Sequence, residues 1–284
     1  MTDTPAPAPL TGSSWHTEMI DAPGYLAALG IAPAAPTAQL LAALHRAHVH
    51  TFPFANIDVL LGTHPGVTPD RVYDQLVVRR RGGYCFEHAQ LFAAGAEHLG
   101  FRVRRTLGRV GSLAQWRTHM SVIVEVDGRQ MLCDPGFGFA LTAPLELRDG
   151  AAIDVCGREM SVHALDDDGT AVWELRRDGE TQHFVDLAPV HPPDVPAGHY
   201  LTSTHPDSHF TRVLMVIGHT DEGHITVTAS QRTLRADSEP TEVTALSTDE
   251  VLTEAAALGV RLDDQDWARL RAAIEDIRAR EQNR

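Results

Sequence analysis

The chain has little cysteine: three residues in 284, Cys85, Cys133 and Cys156, an odd number with no CxxC pair. That excludes a disulfide framework and points to a reducing compartment. It also lacks long hydrophobic runs. No apolar stretch approaches the roughly 18 residues that cross a bilayer, and the opening segment MTDTPAPAP has neither the basic nor the apolar part of a secretion signal. Positive charge is scarce as well. A formal net charge of -14 argues against a nucleic-acid partner or an anionic membrane. Any phosphorylated ligand would therefore need a local basic patch. There is no HExxH, no cysteine cluster and no P-loop, and Gly136-Phe137-Gly138 is too short for a dinucleotide fingerprint. His45, His48 and His50 read as an ordinary helix end, so no metal is expected. These absences leave a cytoplasmic globular protein with a disordered Pro/Ala tail over residues 1–14 and an oligomeric state left open.

What is present is an ordinary globular balance, 43% hydrophobic and 22% charged. Residues 15–100 read as helical. Thr37 should cap a helix containing Leu40, Leu41 and Leu44 that Pro53 ends, and a shorter helix near Tyr25 should stop at Gly30. Cys85, Ala89, Phe92, Ala96 and Leu99 step by four, three, four and three, which is one face of a helix closed by Gly100. From Phe101 to about residue 200 the period changes to short β-like segments separated by Asp-Gly turns, an antiparallel sheet or barrel. Residues 189–196 (PVHPPDVP) look like a linker. Beyond residue 201 come two strands, 212–218 and 224–229, and two helices, 249–258 and 264–280. The expected fold class is α+β.

The most informative stretch is Arg79-Arg80-Arg81-Gly82-Gly83-Tyr84-Cys85-Phe86-Glu87. A thiol at a helix start beside three cations is placed where the thiolate, the nucleophilic form of cysteine, is favoured. Its partners follow from strand register. Residues 118–134 read as a hairpin around Asp127-Gly128, the preferred two-residue type I′ loop. Val126 then opposes Arg129, Ser121 opposes Asp134, and His119 is the diagonal neighbour of Asp134 on the same face. Pro135 cannot donate to the ladder, so pairing should stop there and a site could open. A cysteine nucleophile needs a base, and the base needs an orienting group. The assignment is Cys85 as nucleophile, His119 as its base and Asp134 as the orienter. His88, one turn after Cys85, is a competing base that the strand geometry disfavours.

RGGYCFE at 81–87, Thr118-His119, DPGFG at 134–138, PFANID at 53–58 and STHPDSHF at 203–210 resemble the arylamine N-acetyltransferase family, in the right order. The resemblance implies a cysteine-protease-like core with an N-terminal helical bundle, a central antiparallel β-barrel and a C-terminal α/β lid over residues 201–284. It implies the same three catalytic residues and a double displacement. Acetyl-CoA, a cosubstrate rather than a resident cofactor, would acetylate Cys85, and an arylamine, hydrazine or arylhydroxylamine would take the acetyl group. It places Phe137 and Tyr84 beside the substrate, and Gly138, Ser208 and Phe210 beside CoA. An amide synthase of the same fold, releasing a polyketide acyl chain onto an aromatic amine, is the alternative. The chain departs from the family pattern at Ala28, Ala55 and Ala89. The first two remove an arginine and a glutamate that would pair around Arg80, leaving Arg80 to another partner or to solvent.

Overall fold

The structure, a computed structural model, describes residues 15–237 and 239–283. The tail expected over residues 1–14 lies outside them. In chain order the helices are α1 (Ala22–Ala28), α2 (Ala38–Thr51), α3 (Ile57–Leu60), α4 (Pro69–Tyr73), α5 (Cys85–His98), α6 (Asp194–Thr204), α7 (Thr248–Ala257) and α8 (Asp264–Gln282). The strands are β1 (Phe54–Ala55), β2 (Arg102–Val110), β3 (Arg117–Val126), β4 (Arg129–Cys133), β5 (Leu145–Glu146), β6 (Ala151–Val155), β7 (Arg158–Asp167), β8 (Thr170–Arg177), β9 (Glu180–Asp186), β10 (Val216–Thr220), β11 (Gly223–Val227), β12 (Gln231–Arg235) and β13 (Glu242–Ala245).

Local chemistry sets the helices that matter. The Thr37 hydroxyl accepts from the Leu40 N–H at 3.2 Å and starts α2. In α5 every residue from Cys85 to Ala96 is buried, so the helix runs through the core rather than along its surface. Gly95 is required there, because a Cβ would lie 2.3 Å from the Tyr25 ring of α1. The helix ends as expected, with Gly100 at a φ of +86° that favours glycine.

Strands β2 to β9 form one antiparallel sheet in the order β5-β4-β3-β2-β9-β8-β7-β6, and its two edge strands come together to nearly close a barrel. Helix α5 packs on β2 and β3. The β3–β4 hairpin has the expected register: Val126 opposes Arg129 and Val122 opposes Cys133, across Asp127 and Gly128 at φ 52° and 73°. Pairing stops at Cys133, before Asp134 and Pro135. A second antiparallel sheet, β1-β10-β11-β12-β13, buries its apolar face against α7 and α8. Its first strand comes from residues 54 and 55, so chain from the helical region completes the C-terminal sheet.

Two expectations need correction. The segment 189–196 is not a linker throughout, because α6 starts at Asp194. Pro196 sits in its first turn, where a backbone N–H has no partner to lose. The strand expected from residue 212 starts only at Val216. Before it, the Asn56 side chain holds the loop, donating to the carbonyls of Phe210 and Val213 at 2.8 and 2.7 Å and accepting from Met215 N–H at 2.8 Å.

Candidate active site

Cys85 opens α5 beneath the end of the β3–β4 hairpin, with its thiol directed at the Thr118 carbonyl at 3.6 Å. The chain can approach this closely only because residue 136 is glycine. A Cβ there would lie 2.7 Å from the Cys85 Cα and 2.9 Å from the His88 Cβ. His119, from β3, is buried with its Nε2 donating to both oxygens of Asp134 at 3.1 and 2.9 Å, and Cys85 lies close enough to favour its protonated form. The hairpin register thus brings His119 and Asp134 together, and the packing of α5 against Gly136 brings Cys85 to them.

The electrostatics follow from that contact. Burial alone would make His119 harder to protonate. The Asp134 carboxylate beside it, its hydrogen bonds and Cys85 together raise its pKa to about 10. Burial alone would push Asp134 up; the charge and N–H of His119, with His183, hold it well below the usual carboxylate range. At neutral pH the site holds a buried imidazolium–carboxylate pair.

His183, on β9, was not found from the sequence. It is fully buried and donates from Nε2 to Oδ2 of Asp134 at 2.7 Å. One donor atom each from His119, Asp134 and His183 lies within 4.8 Å of the others. No local motif announces His183; only the placement of β9 beside β2 brings it to Asp134.

A cavity of about 520 Å³ reaches Cys85 and His119. Phe137 lines it, its ring 5.1 Å from that of His119, and Gly138, Ser208 and Phe210 line it too. Tyr84 does not. It is fully buried at the start of α5, with its hydroxyl bonded to His199 at 2.5 Å, so the expected substrate contact is replaced by a structural one. The arginine run is also different from expectation. Arg81 is buried and paired with Asp58 at 2.5 Å and with Asp266 of α8 at 2.8 Å, so its charge is already balanced. Arg80 is exposed to solvent. His88 is tied by Nδ1 to His48 at 2.8 Å and makes no hydrogen bond to Asp134.

Residues 37–266 match the N-acetyltransferase family as a sequence pattern. The arylamine N-acetyltransferase / N-hydroxyarylamine O-acetyltransferase of Salmonella typhimurium is 35% identical over 202 residues, 68% of this chain and 71% of that one. The chain belongs to the arylamine N-acetyltransferase family. Among solved structures, the arylamine N-acetyltransferase of Mycobacterium abscessus superposes with a TM-score of 0.85 at 26% identity, covering 94% of this chain and 99% of that one. The Mycobacterium marinum arylamine N-acetyltransferase, solved in complex with CoA, gives 0.80 at 27% identity over 90% and 99% of the two chains. Within this arylamine N-acetyltransferase fold, no helix among the described residues is long and apolar enough to cross a membrane. All three cysteines are free.

Proposed function

We propose that the chain moves an acetyl group from acetyl-CoA to an arylamine, hydrazine or arylhydroxylamine through an acetyl thioester on Cys85. The observation that carries this reading is the buried His119–Asp134 pair beside a thiol that opens onto a cavity of about 520 Å³. The Cys85 thiolate attacks the thioester carbonyl carbon, the bond from that carbon to CoA sulfur breaks, and the CoA thiolate takes the proton held by His119. The amine nitrogen then attacks acetyl-Cys85, His119 takes its proton, and Cys85 leaves as thiolate. Splitting the transfer gives two easier steps. N–H groups of the first turn of α5, which have no intrahelical partners, are available to the oxyanion in each.

The cavity chemistry suits both substrates. Phe137 and Phe210 offer aromatic faces near the thiol. Arg177 and Arg235 also line the cavity, and burial and the neighbouring cations Arg177 and Arg158 make the Arg235 charge harder to hold. In a chain of net charge -14, such a like-charged pair is the local basic patch that CoA phosphates require. Intact mass after mixing with acetyl-CoA and no amine tests the reading. One acetyl adduct is expected, absent in Cys85→Ala and discharged by an arylhydrazine. No adduct from any of several acyl-CoAs would overturn it.

A further inference from the structure

His183 has a cost that packing does not explain. Its Nε2 donates to Asp134, so Nδ1 carries a lone pair, and among the described residues that atom is buried without a partner. A ring placed only to fill space between His119 and Phe137, whose centroids lie 4.5 and 4.9 Å away, would be better as phenylalanine. The N–H delivered to the carboxylate is what imidazole adds.

The geometry of that N–H is specific. His119 shares its proton between Oδ1 and Oδ2 of Asp134, at 3.1 and 2.9 Å, an arrangement that by itself lets the carboxylate turn. His183 fastens Oδ2 at 2.7 Å, the shortest of the three contacts. It approaches from β9, whereas His119 comes from β3 and Asp134 follows β4, so three strands fix one carboxylate. We propose that His183 is a positioning residue for the transfer reaction: it holds the Asp134 carboxylate in one orientation, so that the His119 ring stays turned toward Cys85. The remaining titratable groups facing Asp134 are His45 from α2, His88 from α5 and the neighbouring Cys133. None of these hydrogen-bonds the carboxylate.

The inference rests on the acyl-transfer reading of Cys85, and its test separates the two. His183→Leu removes the donor; His183→Gln keeps an N–H at a similar reach. Two rates are measured in each variant from pH 4 to 9: acetyl-Cys85 formation from acetyl-CoA, and iodoacetamide alkylation of Cys85. His183→Leu should slow acetylation about tenfold to a hundredfold, the scale on which removing an outer hydrogen-bond partner weakens metal-bound histidine sites, with the half-saturating acetyl-CoA concentration unchanged. Without the N–H the carboxyl protonates more readily, so the acid limb of both profiles should move to higher pH. His183→Gln should recover most of each effect.

Wild-type behaviour of His183→Leu would overturn the inference. So would equal losses in both variants accompanied by a common fall in melting temperature, which would mean packing alone. One equivalent of metal in the purified protein, lost in both variants, would also overturn it. If wild type forms no acetyl adduct while alkylation still responds to His183→Leu and recovers in His183→Gln, positioning stands and the acyl donor is wrong.

Discussion

Two sets of buried histidines border the first turn of α5, and only one of them holds a protonated ring. On the barrel side, His119 and His183 share Asp134. On the bundle side, His88 bonds His48 at 2.8 Å, and His48 bonds the Tyr25 hydroxyl at 2.7 Å. Burial disfavours the imidazolium in both. With a carboxylate in contact, His119 is raised to about 10; without one, burial depresses His88 to about 4 despite the field of Glu87. Nearness to Cys85 therefore does not make a base. His88 is one helical turn from the thiol, but only the histidine that the hairpin delivers to Asp134 stays charged.

The sharpest way to break this contrast is Asp134→Asn, which should turn His119 into a second His88. Transfer should fall by about 10⁴-fold, the scale found when an orienting carboxylate is neutralised in a comparable triad. The stability profile should change with it. The raised pKa of His119 means its contribution is complete below the ordinary histidine value and is lost as pH rises toward about 10. The depressed pKa of Asp134 means its contribution is present above the ordinary carboxylate value and is lost as pH falls through the folded one. Denaturant midpoints should thus be highest, relative to Asp134→Asn, between about pH 4 and 6.5. An unchanged difference at pH 9.5 would mean that the pair is not ionised as described.

His119 and Asp134 were legible in the sequence because a two-residue Asp-Gly turn fixes register and a strand has a period of two, so one local signal places both on a face. Cys85 was legible because α5 has an unbroken apolar face. His183 was not, since its meeting with Asp134 depends on β9 crossing back to β2, a choice made by the whole barrel. Helix α6 was hidden by Pro196 in its first turn and the prolines just before it. The arginine run misled for a similar reason: the acids that neutralise Arg81 come from α3 and α8, far apart in the chain.

Arg81 sharpens the contrast from the other direction. If the cation beside Cys85 is His119 rather than the arginine run, Arg81→Ala should damage the fold and spare the thiol. Removing it leaves Asp58 buried without its partner, a loss of about 3–5 kcal/mol in unfolding free energy. Iodoacetamide alkylation of Cys85, corrected for the folded fraction, should stay within about threefold of wild type, a spread of less than 1 kcal/mol. A tenfold slower alkylation of folded protein would return the arginine to the site.

The smallest effect should come from His88→Gln. The amide can still meet His48, so the loss should be about 1 kcal/mol or less, the net worth of one buried hydrogen bond. Because His88 is neutral at working pH, the substitution removes no charge from beside Cys85 and should leave the acetylation rate and its pH profile within about threefold. The comparison is strict at this point. His88 is closer to Cys85 in the chain than His119, and both rings are buried. A rate loss in His88→Gln rivalling that of Asp134→Asn would mean that proximity, rather than a carboxylate partner, selects the base.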